Sequence, residues 1–411
     1  MILQTRSGIF KNQATPEIEL LVCCARTHLD DEVLRNIDSL LSQDLDWTSF
    51  VQVVMQQSIV PLVSKNLQRL KSTVIPEQIL NYLKNYSYQV AIQNTVFAKE
   101  LFKIVEVLQK NGIPVLSFKG PALATSAYGN LGLRQFCDLD VLVDPKKFLD
   151  SFDVLVSQGY QPTYQWEFLN RDFEISLRGS KSEYSLANEV VCIDLHQHLT
   201  VERFLSSKFC FEELWERRQS ISICGYQVDG FGDEDLLLYL CIHGSKDCWK
   251  NLKLICDVAE FIRSHPYLNW DSVLRRSEEM HCLRMLLLGL CLSQSVLGAK
   301  IPDIARQSIQ NNAEVQGLAT EFSENLFVLD LELGRQYSAK KFFIHLKLTE
   351  TFKDRIGCYL DVLRPIQANF FLKLIPTLKD KEFLEIPQSL YFLYYAIRPI
   401  RLILRQFAAV E

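Results

Sequence analysis

The residues best spaced to do chemistry are an Asp-x-Asp pair, Asp138 and Asp140 in "FCDLDVLV", and a third aspartate, Asp194, in "VVCIDLHQHL". Both runs are short, apolar and partly β-branched, the pattern of a buried strand. Alternate side chains of a strand share a face, so Asp138 and Asp140 are expected to project together while Cys137, Leu139 and Val141 turn into the core. Ile193 and Leu195 flank Asp194 in the same way. Adjacent carboxylates repel each other, and a fold keeps them most readily with a cation between them. A hard cation such as Mg²⁺ takes oxygen ligands, usually one or two carboxylates together with phosphate oxygens. Asp138, Asp140 and Asp194 on neighbouring strands are therefore expected to serve as metal ligands and catalytic groups in a two-metal phosphoryl or nucleotidyl transfer centre. The competing reading of an isolated Asp-x-Asp is a solvated strand edge. On the metal reading, Asp140→Asn is expected to relieve repulsion and leave the metal-free protein as stable as before, or slightly more so.

Other residues extend the pattern. Lys119-Gly120 ends the apolar run "IPVLSF". Gly120 allows a close backbone approach to a phosphate, and a helix starting near Pro121 offers free amides and a positive dipole end. Lys119 adds a point charge on a triphosphate, or else is a surface lysine at a strand end. Arg134, four residues before Asp138, either grips a phosphate bidentately or pairs with the aspartates. His196 and His198 share a strand face with Asp194, a D-x-H-x-H spacing that would suit zinc. With no Cys or further His at a familiar zinc spacing, His196 is expected behind the ligands or on the acceptor side, and His198 in a structural place. His243, Lys246, Lys250, Lys253 and Asp257 fall at helical spacing as one polar stripe. Such a stripe is ordinarily a solvated face.

Lys119-Gly120, Tyr128, Arg134, Asp138-Leu-Asp140, Gly159-Tyr160 and Asp194-Leu-His196 together resemble the uncharacterised nucleotidyltransferase family of the polymerase-β-like superfamily. The likeness is clearest over about residues 95–265 and continues through "LCIHGSKDCWKNLKLICDVAEFI". It implies a small mixed sheet carrying the carboxylates, Mg²⁺ (or Mn²⁺) dependence, and transfer of a nucleoside monophosphate from an NTP to an acceptor. It also makes the polar stripe a candidate cleft wall, with His243 and Lys246 on nucleotide (base or triphosphate) or on acceptor. Many superfamily members carry Gly-Ser or Gly-Gly at the turn after the first strand. Lys119-Gly120 lacks that hydroxyl.

The elements that must position these residues follow from periodicity. "PEIELLVCCAR" and "DWTSFVQVVMQQSIVPLVSKNLQRL" read as helices, with Pro61 a break or kink. A long helix over about 94–110 ends at Asn111-Gly112. Strands are expected at "IPVLSF", at "FCDLDVLV", weakly over 173–177 and strongly over 190–195. Asp144-Pro145 supplies an N-cap and a first-turn proline for the helix that follows. The fold class is therefore α+β, a small mixed β-sheet nucleotidyltransferase core with helical flanks. The expected divisions are an N-terminal helical region at 1–95, the polymerase-β-like domain at 96–230 and a C-terminal helical domain at 231–411.

Composition narrows the class. The 411 residues are 48% hydrophobic and 23% charged, a globular balance long enough for several cores. The twelve cysteines form no C-x-x-C pair and sit mostly in apolar runs, which fits small buried side chains in a reducing cytoplasm. The start lacks a basic-then-apolar signal pattern, and the apolar runs are too short to span a bilayer. Net charge is −5, yet residues 340–411 carry 12 Lys or Arg against 7 Asp or Glu. The acidic remainder counts against nucleic acid, including tRNA, as the main partner. The reading is a cytoplasmic Mg²⁺-dependent nucleotidyltransferase using an NTP and a hydroxyl acceptor, which is a small molecule, peptide or protein. Its rival is a non-catalytic nucleotide-sensing or partner-binding helical scaffold, docking through "LYFLYYAIRPIRLILRQF". Acceptor, preferred base and oligomeric state are not legible.

Overall fold

The computed structural model describes residues 15–163, 182–199, 208–327 and 334–361, with Leu205 and isolated positions between 383 and 401. The weak strand expected over 173–177 and most of the aromatic C-terminal run lie outside them.

The chain opens with helices whose ends are written in the sequence. Thr15 accepts from the Ile18 amide and Pro16 fills the first turn of α1 (Pro16–Cys24). Asp30 and Asp46 cap α2 (Asp31–Leu41) and α3 (Trp47–Gln56) in the same manner. The break before α4 (Val60–Leu70) falls at 57–59, where Ser58 takes φ 55°, and Pro61 sits harmlessly in the first turn beyond it. Helix α5 (Glu77–Lys110) begins 17 residues earlier than the periodicity of its apolar face indicated. Its first half carries Tyr82 and Tyr88 outward, and that blurs the pattern.

The sheet then alternates with short helices: β1 (Val115–Ser117), α6 (Gly120–Tyr128), β2 (Leu139–Val143), α7 (Phe148–Ser157), β3 (Gln161–Pro162), β4 (Glu183–Ala187), β5 (Cys192–His196), α8 (Phe211–Glu216), β6 (Gln219–Ile223) and β7 (Tyr226–Gly230). Strand order is β3-β4-β5-β2-β1-β7-β6. β2 runs parallel to β5 and β1 to β7, and the other pairs are antiparallel. The remaining helices are α9 (Asp233–Lys246), α10 (Leu252–Ser264), α11 (Trp270–Glu279), α12 (Leu283–Leu297), α13 (Asp303–Gln310), α14 (Ala313–Asn325) and α15 (Gly334–Leu348). The architecture is α+β, a mixed sheet flanked by helices.

Strand alternation divides the core. Leu139, Val141, Val143, Ile193 and Leu195 pack with Leu101, Ile104 and Leu108 of α5 and with Phe148 and Phe152 around α7. Leu116, Phe118 and Leu142 belong to a second cluster with residues of α6, α9, α10 and α12, and that cluster draws on residues from Ile18 to Cys358. The sheet is thus covered on both faces, and polar side chains on its second face lie beneath helices. No helix among the described residues is long and apolar enough to cross a membrane.

Candidate active site

Parallel pairing of β2 with β5 sets Asp140 directly opposite Asp194, and Leu142 opposite His196. Paired residues share a face, so Asp140, Asp194 and His196 all project to the side that α9 and α10 cover. One ligand atom from each lies within 4.8 Å of the other two. Ile193 and Leu195 are fully buried on the opposite face, as their spacing indicated. Asp138 lies in the bend just before β2, where the charges of Asp140 and Asp194 act on it, but it is not among the three residues whose ligand atoms converge. Cys137 is exposed, contrary to the inward turn expected of it, because β2 begins only at Leu139 and does not extend its pleat that far.

Electrostatics separate the aspartates. Asp140 is 5% exposed, and its Oδ1 receives Lys119 Nζ at 3.2 Å and faces His196 Nε2 at 3.1 Å. Burial opposes ionisation of Asp140, but the Lys119 ammonium and the His196 contact outweigh it and hold the carboxyl well below its ordinary range. Asp138 has no hydrogen-bond partner among the described residues. Burial, then the charge of Asp140, pushes its carboxyl upward, with Lys119 opposing and Asp194 adding to the rise. Asp194 Oδ1 accepts from Ser185 Oγ at 2.6 Å. This donor set suits a hard divalent cation: the paired carboxylates supply oxygen, and the strain of like charge on Asp138 is relieved by positive charge nearby. His196 is the third member of the converging group, its Nε2 on Asp140 and its Nδ1 3.3 Å from Glu183 Oε2. His198 is exposed.

Lys119 takes a position more specific than a strand-end surface lysine. Its ammonium sits between Asp140 and Tyr239, 5.6 Å from the Tyr239 ring centre, and only 16% of the side chain is exposed. Burial disfavours the charge, yet Asp140 more than compensates, so the Lys119 pKa lies above its usual value. Gly120 takes φ 50°, a conformation that favours glycine, and a Cβ there would meet the Asp138 carbonyl oxygen at 3.5 Å. That turn brings the start of α6 against the carboxylate loop.

Arg134 is committed elsewhere. Its Nε and Nη2 donate to Asp257 Oδ1 and Oδ2 at 2.8 and 2.9 Å, and the Tyr128 hydroxyl joins at 2.6 Å. Neither a phosphate nor the Asp138–Asp140 pair receives that fork. The buried triad ties α6 and the loop before β2 to α10, and Asn94 of α5 holds the same loop through the Leu131 and Arg134 carbonyls.

The polar stripe expected over 243–257 is not one helix. Helix α9 stops at Lys246, Cys248 and Trp249 take φ 52° and 48°, and α10 begins after the Asn251 cap. The reason is packing. Trp249 is buried against Gly244 and Gly289, where an added Cβ at Gly244 would come within 2.5 Å of the indole. His243 still faces the site. Its ring lies parallel to Tyr239, 5.8 Å between centres, with Nδ1 buried and unpartnered. Burial, then the Lys119 charge, keeps its pKa well below the usual histidine value. Lys246 is half-buried at the end of α9, and its carbonyl lies 3.2 Å from His345 Nε2. Lys253, half-buried in the first turn of α10, makes no ion pair or hydrogen bond to a described residue, and burial and Arg134 bring its pKa down to about 8. A cavity of about 540 Å³ lies between Lys208, Arg276 and Asp354 and shares no lining residue with the carboxylates. Two of the cations lining it are paired, Lys208 to Asp354 and Arg276 to Asp235.

Sequence reasoning missed β4, and with it Ser185, as well as the hairpin β6–β7. The alternation in "SISICGYQV" around Cys224-Gly225, both at positive φ, is the signal for the hairpin.

A mixed sheet presenting paired carboxylates from parallel strands beneath a helical array defines a nucleotidyltransferase-like core. The model of a family described as an uncharacterised nucleotidyltransferase matches residues 43–298, well over half of the chain, and the protein belongs to that family. No curated protein was matched.

Proposed function

We propose that this protein is a Mg²⁺-dependent nucleotidyltransferase of the cytoplasm that moves a nucleoside monophosphate from an NTP to a hydroxyl acceptor. The observation that carries the reading is the direct pairing of Asp140 with Asp194, with Asp138 two residues ahead of Asp140. These three carboxylates would hold Mg²⁺, or Mn²⁺ in its place. Bound there, the divalent cations would neutralise triphosphate charge and acidify the acceptor hydroxyl. Asp194 takes the hydroxyl proton. The hydroxyl oxygen forms its bond to the α-phosphorus in line, and the bond from the α-phosphorus to the bridging oxygen breaks, releasing pyrophosphate. Lys119 places positive charge at the phosphate end, and the start of α6 at Gly120 offers it backbone amides. His243 and Lys246 line the α9 side, where His243 Nδ1 is free to bond nucleotide or acceptor. Arg134 serves this site by fixing the loop that carries Asp138.

The family assignment supports nucleotidyl transfer in general, and the converging Asp140, Asp194 and His196 support a divalent metal. The test is label transfer from each NTP, carrying ³²P at the α or the γ position, to small-molecule and protein acceptors in a cell extract with Mg²⁺. Label arriving from the α position alone is the expected outcome. Transfer from the γ position would make the protein a kinase, and no transfer from any NTP would favour the nucleotide-sensing scaffold.

A further inference from the structure

Strand β4 was invisible in the sequence, and it is the strand that reaches the carboxylates from outside. It pairs antiparallel with β5, placing Glu183 opposite His196, Tyr184 opposite Leu195 and Ser185 opposite Asp194. Its burial alternates. Tyr184 and Leu186 are buried in the α5–α7 core, where the Tyr184 ring meets Phe152 edge-on at 5.2 Å. Ser185 is therefore held on the face of the metal cluster by its two neighbours, with little freedom to turn away.

The hydrogen bonds at the two paired aspartates follow one rule. Asp140 is tied through Oδ1, by Lys119 and His196, and Asp194 is tied through Oδ1, by Ser185. Neither Oδ2 has a hydrogen-bond partner among the described residues. The terminal torsion of an aspartate is broad and roughly two-fold, so an untethered carboxylate samples many orientations. A hydroxyl donating at 2.6 Å is in the range of a charge-assisted bond and selects one of them. For Asp140 two donors divide that task. For Asp194 the Ser185 hydroxyl is the single side-chain donor among the described residues.

We propose that Ser185 is a positioning residue, whose hydroxyl fixes Asp194 through Oδ1 so that Oδ2 is presented to the cation shared with Asp140. The inference rests on the metal-dependent reading of the site. Groups that orient ligands from behind are commonly worth 10–100-fold in metal affinity or activity. The role assigned to Ser185 passes through Asp194, the side chain to which its hydroxyl donates. Removing it should lower affinity for the cation and slow turnover, with the KM for NTP little changed.

The experiment titrates Mn²⁺ alone into the purified protein and follows loss of the free-ion EPR signal, beside thermal melts of each variant. Ser185→Ala should melt as the wild type does and bind Mn²⁺ about tenfold or more weakly. Ser185→Thr keeps the hydroxyl and should restore most of the affinity. Wild-type affinity in the alanine variant would overturn the inference and leave the metal reading standing. Loss in both variants would also overturn it, because bulk rather than the hydroxyl would then be what matters. A wild-type protein that binds no Mn²⁺ and turns over no NTP would remove the metal reading itself.

Discussion

Replacing Asp140 with asparagine tests both the electrostatics of the site and its chemistry. The change keeps shape and removes one charge. From the sequence alone, loss of that charge promised relief of repulsion with Asp138 and Asp194. The structure reverses the sign, because Asp140 carries Lys119 at 3.2 Å and His196 at 3.1 Å on a single oxygen, and these outweigh the like charges. Orphaning a buried charge typically costs about 3–5 kcal/mol. Asparagine still offers Lys119 a neutral acceptor worth about 1 kcal/mol, and Asp138, freed of its closest like charge, ionises more readily. The expected loss in the metal-free protein is therefore about 2–3 kcal/mol.

The pH dependence carries its own sign. The folded pKa of Asp140 is depressed, so its contribution is present above the unfolded value of about 3.9 and fades as pH falls through the folded value. The folded pKa of Lys119 is raised, so its contribution is present below about 10.4 and fades as pH rises through the folded value. Denaturation in urea at several pH values, without metal, should show a constant gap between wild type and Asp140→Asn from about pH 5 to 9. The gap should narrow in stronger acid. Mg²⁺-dependent turnover should fall by orders of magnitude in the same variant. A variant as stable as wild type across that range would refute the ion-pair reasoning, and one that unfolds early yet turns over normally would refute the metal role.

Arg134→Met breaks the bidentate pair with Asp257 and should cost about 3–5 kcal/mol in urea denaturation. Unchanged stability with lost nucleotide binding would instead return Arg134 to the phosphate. Lys119→Ala should weaken NTP binding in a titration calorimeter, and an unchanged affinity would confine Lys119 to its pair with Asp140. Lys253→Gln should stabilise the protein by about 2 kcal/mol at pH 7, since an unpaired, half-buried ammonium is removed. Because the folded pKa of Lys253 is about 8 and the unfolded value about 10.4, wild-type stability should rise across that window and the advantage of the variant should vanish above it. A constant advantage at pH 11 would mean that charge is not its source.

Much of this site was legible because strand periodicity is local. The inward residues Ile193 and Leu195 and the outward Asp194 read directly from "CIDLH", and the pairing with Asp140 needed only that the two strands be neighbours. The segments of α1 and α3 likewise read as helical, whereas α2 and the Asp30 and Asp46 caps emerged only in the structure. What failed was non-local. Nothing near Arg134 in the sequence announces Asp257, which lies on a helix more than a hundred residues on. The division of one polar stripe into α9 and α10 depends on Trp249 finding room beside Gly244 and Gly289, a packing fact that helical spacing does not contain. Strand β4 is short and half polar, so its alternation is weak, and its partner Asp194 gives it meaning only in the folded sheet.

The central claim is that Asp138, Asp140 and Asp194 together hold divalent cations at the α-phosphate of a bound NTP. Anomalous scattering tests it most directly, from crystals grown with Mn²⁺ and a non-hydrolysable α,β-methylene analogue of whichever NTP the enzyme turns over. The account predicts two Mn²⁺ peaks about 4 Å apart, each contacting Asp138 or Asp140, with Asp194 Oδ2 on the one farther from the leaving pyrophosphate. Manganese bound away from these carboxylates, or an Asp194 still turned from every peak with nucleotide in place, would contradict it.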